Sequence, residues 1–202
     1  MGLDMYLYRY PKSKTKEQIN KESDDLWEKG IDEWRKGFKE KYEVAYWRKV
    51  NFLHGYIVEH FADSVDECQP IPLAKEDFEE IASAVDNAIA AFEGTKFIAY
   101  KKIGEKDYQP IYAVDTSVEP IKIGWKDGKL TDEKALNIGE WRVEEDVAGK
   151  LSGILPTCPG FFFGSYSYDS WYVSDVYALR EELKTILADW DDSCDYIYEA
   201  SW

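Results

Sequence analysis

The residues most able to do chemistry are concentrated in the segment from Tyr42 to Phe61. If this segment is one helix, Trp47, Asn51 and His54 share a stripe beside a longer apolar stripe. His54 could then act as an acid or base, and Arg48 with Asn51 could orient a ligand. A buried hydrogen-bond network that fixes how the helix docks explains the same stripe, because an unpaired buried polar group costs about 1–3 kcal/mol. The sequence leaves both interpretations open.

A second group of polar residues follows an apolar run near the C-terminal third of the chain. Phe161 to Phe163 lies between two glycines, and we predict a short strand there. Ser165 and Asp169 come directly after it and could bond a ligand that approaches the backbone at Gly164. Asp169 or Ser170 could equally cap the helix that follows. A buried strand with glycine turns and the floor of a pocket are both compatible with this pattern.

Catalytic and metal-binding motifs give little support for an enzyme. Cys158 could be a thiol nucleophile with His54 as its base, but no G-x-S-x-G turn, Walker loop, dinucleotide fingerprint or HExxH is present. The 3 cysteines are widely spaced, which argues against a disulfide framework or a structural zinc site. We therefore predict a protein without a metal or cofactor, in which a non-enzymatic role is favoured.

Composition limits the possible partners. The chain has 202 residues and a formal net charge of −15, which disfavours direct nucleic-acid binding because that binding uses Lys and Arg to neutralise phosphates. The same charge favours solubility and permits a protein partner with a basic surface. No run approaches the ~20 apolar residues of a membrane span, so we expect no membrane association.

The pattern of apolar residues predicts an α+β fold with one domain over 1–202. We expect a small mixed or antiparallel sheet packed against a central buried helix and at least two further helices. The predicted elements are strands at Leu3–Tyr10, 97–103 and 196–202, and helices at Tyr42–Phe61, Lys75–Phe92 and after Asp169. Residues 103–149 form a less regular excursion.

Residues 12–41 are highly charged and carry a sparse helical pattern that breaks near Gly30 or Gly37. This segment could be a solvated helix that lies over the core. It could also be an arm that presents Trp27 and Trp34 to a partner, since tryptophan is frequent among interface hot spots.

Several blocks together resemble a family of small bacteriophage and prophage proteins. They are the opening MGLDMYL, EVAYWRK-x-N-x-x-H, LPT-x-x-GFFFGS-x-x-YD-x-WY and the closing ASW, which cover about half of the chain. The resemblance implies that one site collects the residues matching the recurring pattern, namely Trp47, Arg48, Asn51, His54, Pro156, Thr157, Gly164, Tyr168 and Asp169. Cys158 is outside that pattern, which weakens the thiol mechanism.

The resemblance also implies a role in the cytoplasm of an infected or lysogenic bacterial host. We expect a protein that binds and inhibits or redirects a host factor, of the anti-CRISPR or other anti-defence type. The first alternative is a protein that binds a small, nucleotide-like ligand, or a hydrolase, with a pocket around His54. The second is a virion or replication accessory protein.

Overall fold

The structure is a computed structural model that describes residues 2–92, 98–102, 108–113, 125–126, 129–130, 143, 145–160 and 162–202. Its helices and strands occur in this order along the chain: β1 (Asp4–Pro11), α1 (Lys16–Trp27), α2 (Ile31–Trp34), a π-helical turn (Arg35–Lys39), α3 (Glu40–Tyr42), β2 (Glu43–Arg48), α4 (Asn51–Phe61), β3 (Ile71–Leu73), α5 (Lys75–Phe92), β4 (Ile98–Lys102), β5 (Tyr108–Ala113), β6 (Trp125–Lys126), β7 (Lys129–Leu130), α6 (Glu145–Leu151), α7 (Ser170–Ala188) and β8 (Cys194–Ser201).

An antiparallel four-stranded sheet joins the two ends of the chain. Its strand order is β2-β1-β8-β3, so the first and last strands lie side by side at the centre. They pair along their full length, from Asp4 opposite Ser201 to Pro11 opposite Cys194. The predicted α+β class is confirmed.

The inner face of the sheet forms the main core. Met5 and Leu7 of β1 alternate with outward tyrosines and are fully buried, as period-two patterning requires. Tyr196 and Tyr198 extend the same face on β8. Helices α4, α5 and α7 pack there through buried apolar side chains that include Phe52, Leu53, Ile57, Phe78, Ile81, Val85, Val173, Val176, Leu179 and Leu183.

The outer face of the sheet carries a row of stacked tyrosines. Tyr6, Tyr8 and Tyr10 lie with successive ring centroids 6.0 and 5.7 Å apart. The segment from α1 to α3 covers this row and places Phe38 and Tyr42 against it in a second buried cluster. The sheet is therefore enclosed on both faces, and residues 12–41 lie over it with the predicted break at Gly30.

The prediction of one helix from Tyr42 to Phe61 was wrong. Tyr42 ends α3, Glu43–Arg48 is strand β2, which pairs with β1, and the next helix begins only at Asn51. The chain turns between them at Lys49, whose φ of 62° is unusual for a residue with a side chain. The apolar residues of Glu43–Arg48 also fit a two-residue period, and pairing with β1 decides between the two structures.

The predicted strand at Phe161–Phe163 was also wrong. Residues 162–163 form a turn, and Phe161 lies outside the described residues. The helix at Lys75–Phe92 is confirmed, and the predicted strands at both ends and at 97–103 match β1, β8 and β4 to within two residues. Much of the 103–149 excursion lies outside the described residues.

Glu22 helps to hold the segment from α1 to α3, which we call the outer layer, and its carboxyl group offers a test of this role. Burial opposes its ionisation, but hydrogen bonds from Lys14, Lys41 and Tyr42 outweigh this and lower the pKa of Glu22 to about 2. A carboxyl group whose pKa falls from 4.5 on folding stabilises the protein above pH 4.5, and this contribution is lost as the pH drops from 4.5 to about 2.

We expect Glu22→Gln to lower the free energy of unfolding by about 1–2 kcal/mol at pH 7. Urea unfolding at pH 7 and at pH 3 measures this loss, which should be smaller at pH 3. The control is Glu28→Gln, because Glu28 is the residue that follows α1 and its carboxylate is exposed. Equal effects of the two substitutions would contradict the role assigned to Glu22.

Candidate functional site

Asn51, the first residue of α4, holds the loop that leads to α7. Its side-chain amide donates to the carbonyl oxygens of Phe163 at 3.1 Å and Ser165 at 2.8 Å. Its carbonyl oxygen accepts from the backbone N–H of Cys158 at 3.2 Å. The side chain is only 3% exposed, and these three bonds account for its buried polar atoms. Asn51 therefore positions backbone rather than offering a free group to a ligand.

Two glycines allow the loop to lie close to α4. A Cβ at Gly55 would come within 2.6 Å of the Cβ of Cys158, so a side chain at this position would push the loop away. Gly164 has a φ of 97°, a conformation that favours glycine, and it packs on Lys49 of the β2–α4 turn. The resemblance implied that Asn51 and Gly164 share one region, and the structure brings them together.

His54 lies in the core rather than in a pocket. It is 1% exposed, and its two ring nitrogens contact the hydroxyl of Tyr198 at 2.8 Å and the carboxylate of Asp66 at 3.2 Å. The rings of Phe163 and Trp202 pack against it. Burial lowers the pKa of His54, and the nearby Asp66 opposes this shift. With both nitrogens occupied, this geometry favours the structural interpretation of His54.

Cys158 has the wrong surroundings for a nucleophile. Burial and the nearby carboxylates of Asp66 and Glu59 raise the pKa of its thiol, whereas an activated cysteine needs a lowered one. Both nitrogens of His54 have other partners, so His54 is not available as its base.

A cleft of about 810 Å³ contains most of the remaining candidates. It lies between β2, the β2–α4 turn, the loop at 164–169 and α7. Its lining includes Trp47, Arg48, Asn51, Ser165 and Asp169 from the predicted set. His54, Thr157 and Tyr168 do not line it. This volume lies within the range of small-molecule pockets, although the cleft is open along one side.

Several lining groups are already engaged within the protein. The indole N–H of Trp47 donates to Glu182, and the guanidinium of Arg48 lies 3.6 Å from Asp4. Asp169 accepts from Ser165 and caps α7 through the N–H groups of residues 171 and 172. The predicted capping role of Asp169 is confirmed. These contacts shape the wall of the cleft.

Thr157 and Tyr168 brace the loop from its far side. The hydroxyl of Thr157 donates to the carbonyl oxygen of Tyr166, and its N–H donates to the hydroxyl of Tyr168. Tyr168 also packs edge-on against the ring of Tyr172. Both residues therefore stabilise the loop.

Trp27 and Trp34 differ in exposure although their rings touch. Trp34 donates from its indole to Ser23 and stacks on Phe38, which makes it part of the outer layer. Trp27 is 58% exposed at the C-terminal end of α1. Of the two predicted anchors, Trp27 is the one that a partner could reach.

Residues 59–86 carry an excess of exposed acidic side chains, which sequence reasoning missed. Residues 59–86 contain nine acidic residues and one lysine, and eight of the nine acids are exposed. We call this surface the acidic face; it comprises the end of α4, the 62–70 loop and one side of α5. A local count of charge would have detected it. The acids are Glu59, Asp63, Asp66, Glu67, Glu76, Asp77, Glu79, Glu80 and Asp86.

The pH dependence of stability tests the role of His54. Because its pKa in the folded protein lies below 6.5, the unfolded chain takes up this proton first as the pH falls. His54 therefore reduces stability as the pH decreases from 6.5 toward its folded pKa, by at most about 1.4 kcal/mol per pH unit. Chemical unfolding between pH 7.5 and 5 should show a weaker pH dependence in His54→Gln. The same dependence in both proteins would contradict this account.

Asn51→Ala should free the loop at 158–165. It leaves three backbone groups without their partner, so we expect a loss of about 1–3 kcal/mol in unfolding free energy. Amide hydrogen exchange at Cys158 should accelerate. The matched control is Asn87→Ala on the exposed side of α5, which should change neither quantity. Unchanged exchange at Cys158 in Asn51→Ala would refute the assignment.

Comparison of the chain with protein-family models, curated proteins and solved structures gave no match. Among the described residues, no helix is long and apolar enough to cross a membrane. The same part of the chain contains no cluster of three or more His, Cys, Asp or Glu side chains that could hold a metal ion.

Proposed function

We propose that this protein is a phage-encoded acidic protein that binds a host factor and inhibits or redirects it by protein–protein interaction. The partner has a basic surface and is a host-defence effector, so the activity is of the anti-CRISPR or other anti-defence type. The observation that supports this most is the acidic face. The phage context comes from the resemblance of the sequence blocks.

The acidic face suits recognition of a basic protein. Its residues contribute more than half of the formal net charge of −15, and Asp86 at its end is paired with Arg180 of α7. Charge concentrated in this way attracts an oppositely charged partner and speeds encounter. Surface electrostatics are screened over about 8 Å at physiological salt, so binding should weaken as salt increases.

Exposed aromatic rings border the acidic face and could add specificity. Trp202 packs on the ring of His54, and the Nε2 atom of His54 contacts Asp66 of the acidic face. Phe162 and Tyr166 are also exposed on the neighbouring loop. An arginine or lysine bound by the carboxylates could stack on such rings, a contact worth about 0.5–2 kcal/mol.

An affinity pull-down from bacterial lysate tests the proposal directly. Tagged protein is incubated at low and at moderate salt, and bound proteins are identified by mass spectrometry. We expect a basic protein in stoichiometric amount at low salt and less of it at moderate salt. Recovery of no stoichiometric partner, or of one that ignores salt, would argue against this function.

Neutralising the acidic face should weaken the complex. The test variant combines Glu59→Gln, Glu67→Gln and Glu79→Gln, and we expect Kd to rise at least tenfold because three attractive charges are removed. The control combines Glu145→Gln, Glu181→Gln and Asp195→Asn, which removes the same charge from other exposed positions. Binding measured by calorimetry should change less than threefold in the control. Equal losses in both variants would show that only net charge matters.

A further inference from the structure

Strand β2 forms an edge of the sheet and has no strand on its outer side within the described part of the chain. Two depressions follow this edge, one of about 810 Å³ and one of about 390 Å³. They share Tyr46 and Glu182, so together they form one groove, which we call the edge groove. It follows the strand from Tyr42 to Asn51.

The backbone of β2 offers hydrogen bonds to this groove. The N–H of Lys49 donates to the carbonyl oxygen of Leu3. This bond shows which residues of β2 direct their backbone groups toward β1 and which direct them away from it. Residues 45, 47 and 49 therefore direct their N–H and C=O groups toward β1. Those of Tyr46 and Arg48 point outward, as alternation in an antiparallel ladder requires. An added strand would find its partners there.

The floor of the groove is one stripe of α7. Its members recur at helical spacing, so they lie along one side of the helix under the open edge. Ala178 and Thr185 are small and leave room for incoming side chains. The stripe consists of Trp171, Asp175, Ala178, Glu182, Thr185 and Asp189.

The charge of this floor selects the occupant. The stripe has three acids and no lysine or arginine. The two lysines and the two arginines that line the groove lie on β1, α3, β2 or the turn after β2. Side chains of an added strand that point toward α7 would face the carboxylates of Asp175, Glu182 and Asp189, and Arg9 lies beside Asp189 at the end of the stripe. Such a strand is best accommodated when every second residue is basic.

From these observations we infer that the edge groove binds an extended, basic peptide segment, which pairs with β2 as a fifth strand and points Lys or Arg at α7. This inference rests on the proposed function, because the segment would belong to the basic partner. Binding by strand addition obtains affinity from the backbone and specificity from alternate side chains. The groove would thus contact an extended segment while the acidic face contacts the folded surface.

Two substitutions at one position separate backbone pairing from side-chain contact. Tyr46→Pro removes an N–H that points outward and leaves the bonds to β1 in place, since proline is tolerated on the open side of an edge strand. Tyr46→Ala removes the same side chain but retains the N–H. The probe is an acetylated nonapeptide that alternates lysine with threonine, and the control peptide has glutamate in place of lysine.

We expect the lysine peptide to shift the amide NMR signals of Tyr46 and Arg48 and to bind Tyr46→Pro at least tenfold more weakly than Tyr46→Ala. The glutamate peptide should bind the wild type at least tenfold more weakly than the lysine peptide does. Equal binding by the two variants, or shifts confined to residues 59–86, would overturn the inference. So would a wild-type dimer that Tyr46→Pro makes monomeric, because a second copy would then occupy the edge.

The outcome for the inference is separable from that for the proposed function. If lysate yields a basic partner whose binding needs the acidic face but not the N–H of Tyr46, the inference fails and the proposed function stands. If the peptide pairs with β2 but lysate yields no basic partner, the proposed function fails.

Discussion

The three hydrogen bonds of Asn51 are the constraint on which the arrangement of α4, α7 and the loop before α7 depends. They join the start of α4 to the loop at 158–160 and 162–165, whose described residues belong to no helix or strand. With the loop fixed, Asp169 can cap α7, and α7 can lie under the open edge of β2. Because a buried amide replaces the missing backbone partners, a loop of irregular shape becomes a rigid wall.

The two faces of the sheet carry the apolar packing of the chain, and the surfaces proposed for recognition lie outside these faces. Strands from both ends of the chain fill its centre, and apolar layers cover both faces. Among the described residues, the exposed surface includes the acidic face, Trp27 and the edge of β2. Polar residues that could have been catalytic, above all His54, are used inside as hydrogen-bond partners.

Sequence patterns predicted the elements whose periodicity was unambiguous. The alternation of Tyr6, Tyr8 and Tyr10 and the long apolar stripe of α5 specify a strand and a helix by themselves. Glu43–Arg48 fits both periods, and α4 begins without a side-chain cap, so nothing local marks the change at Lys49. The partners of His54 and Asn51 lie up to 144 residues away, and only the tertiary structure identifies them.

The two edges of the sheet differ in a way that bears on recognition. Strand β3 has three residues, and Pro72 at its centre lacks an N–H, so this edge offers little to another strand. Strand β2 has six residues without proline, beside a groove whose floor is acidic. An open edge of this length invites nonspecific pairing unless something restricts its partners. The carboxylates of α7 supply such a restriction, because they disfavour apolar and acidic strands and leave a basic one as the compatible partner.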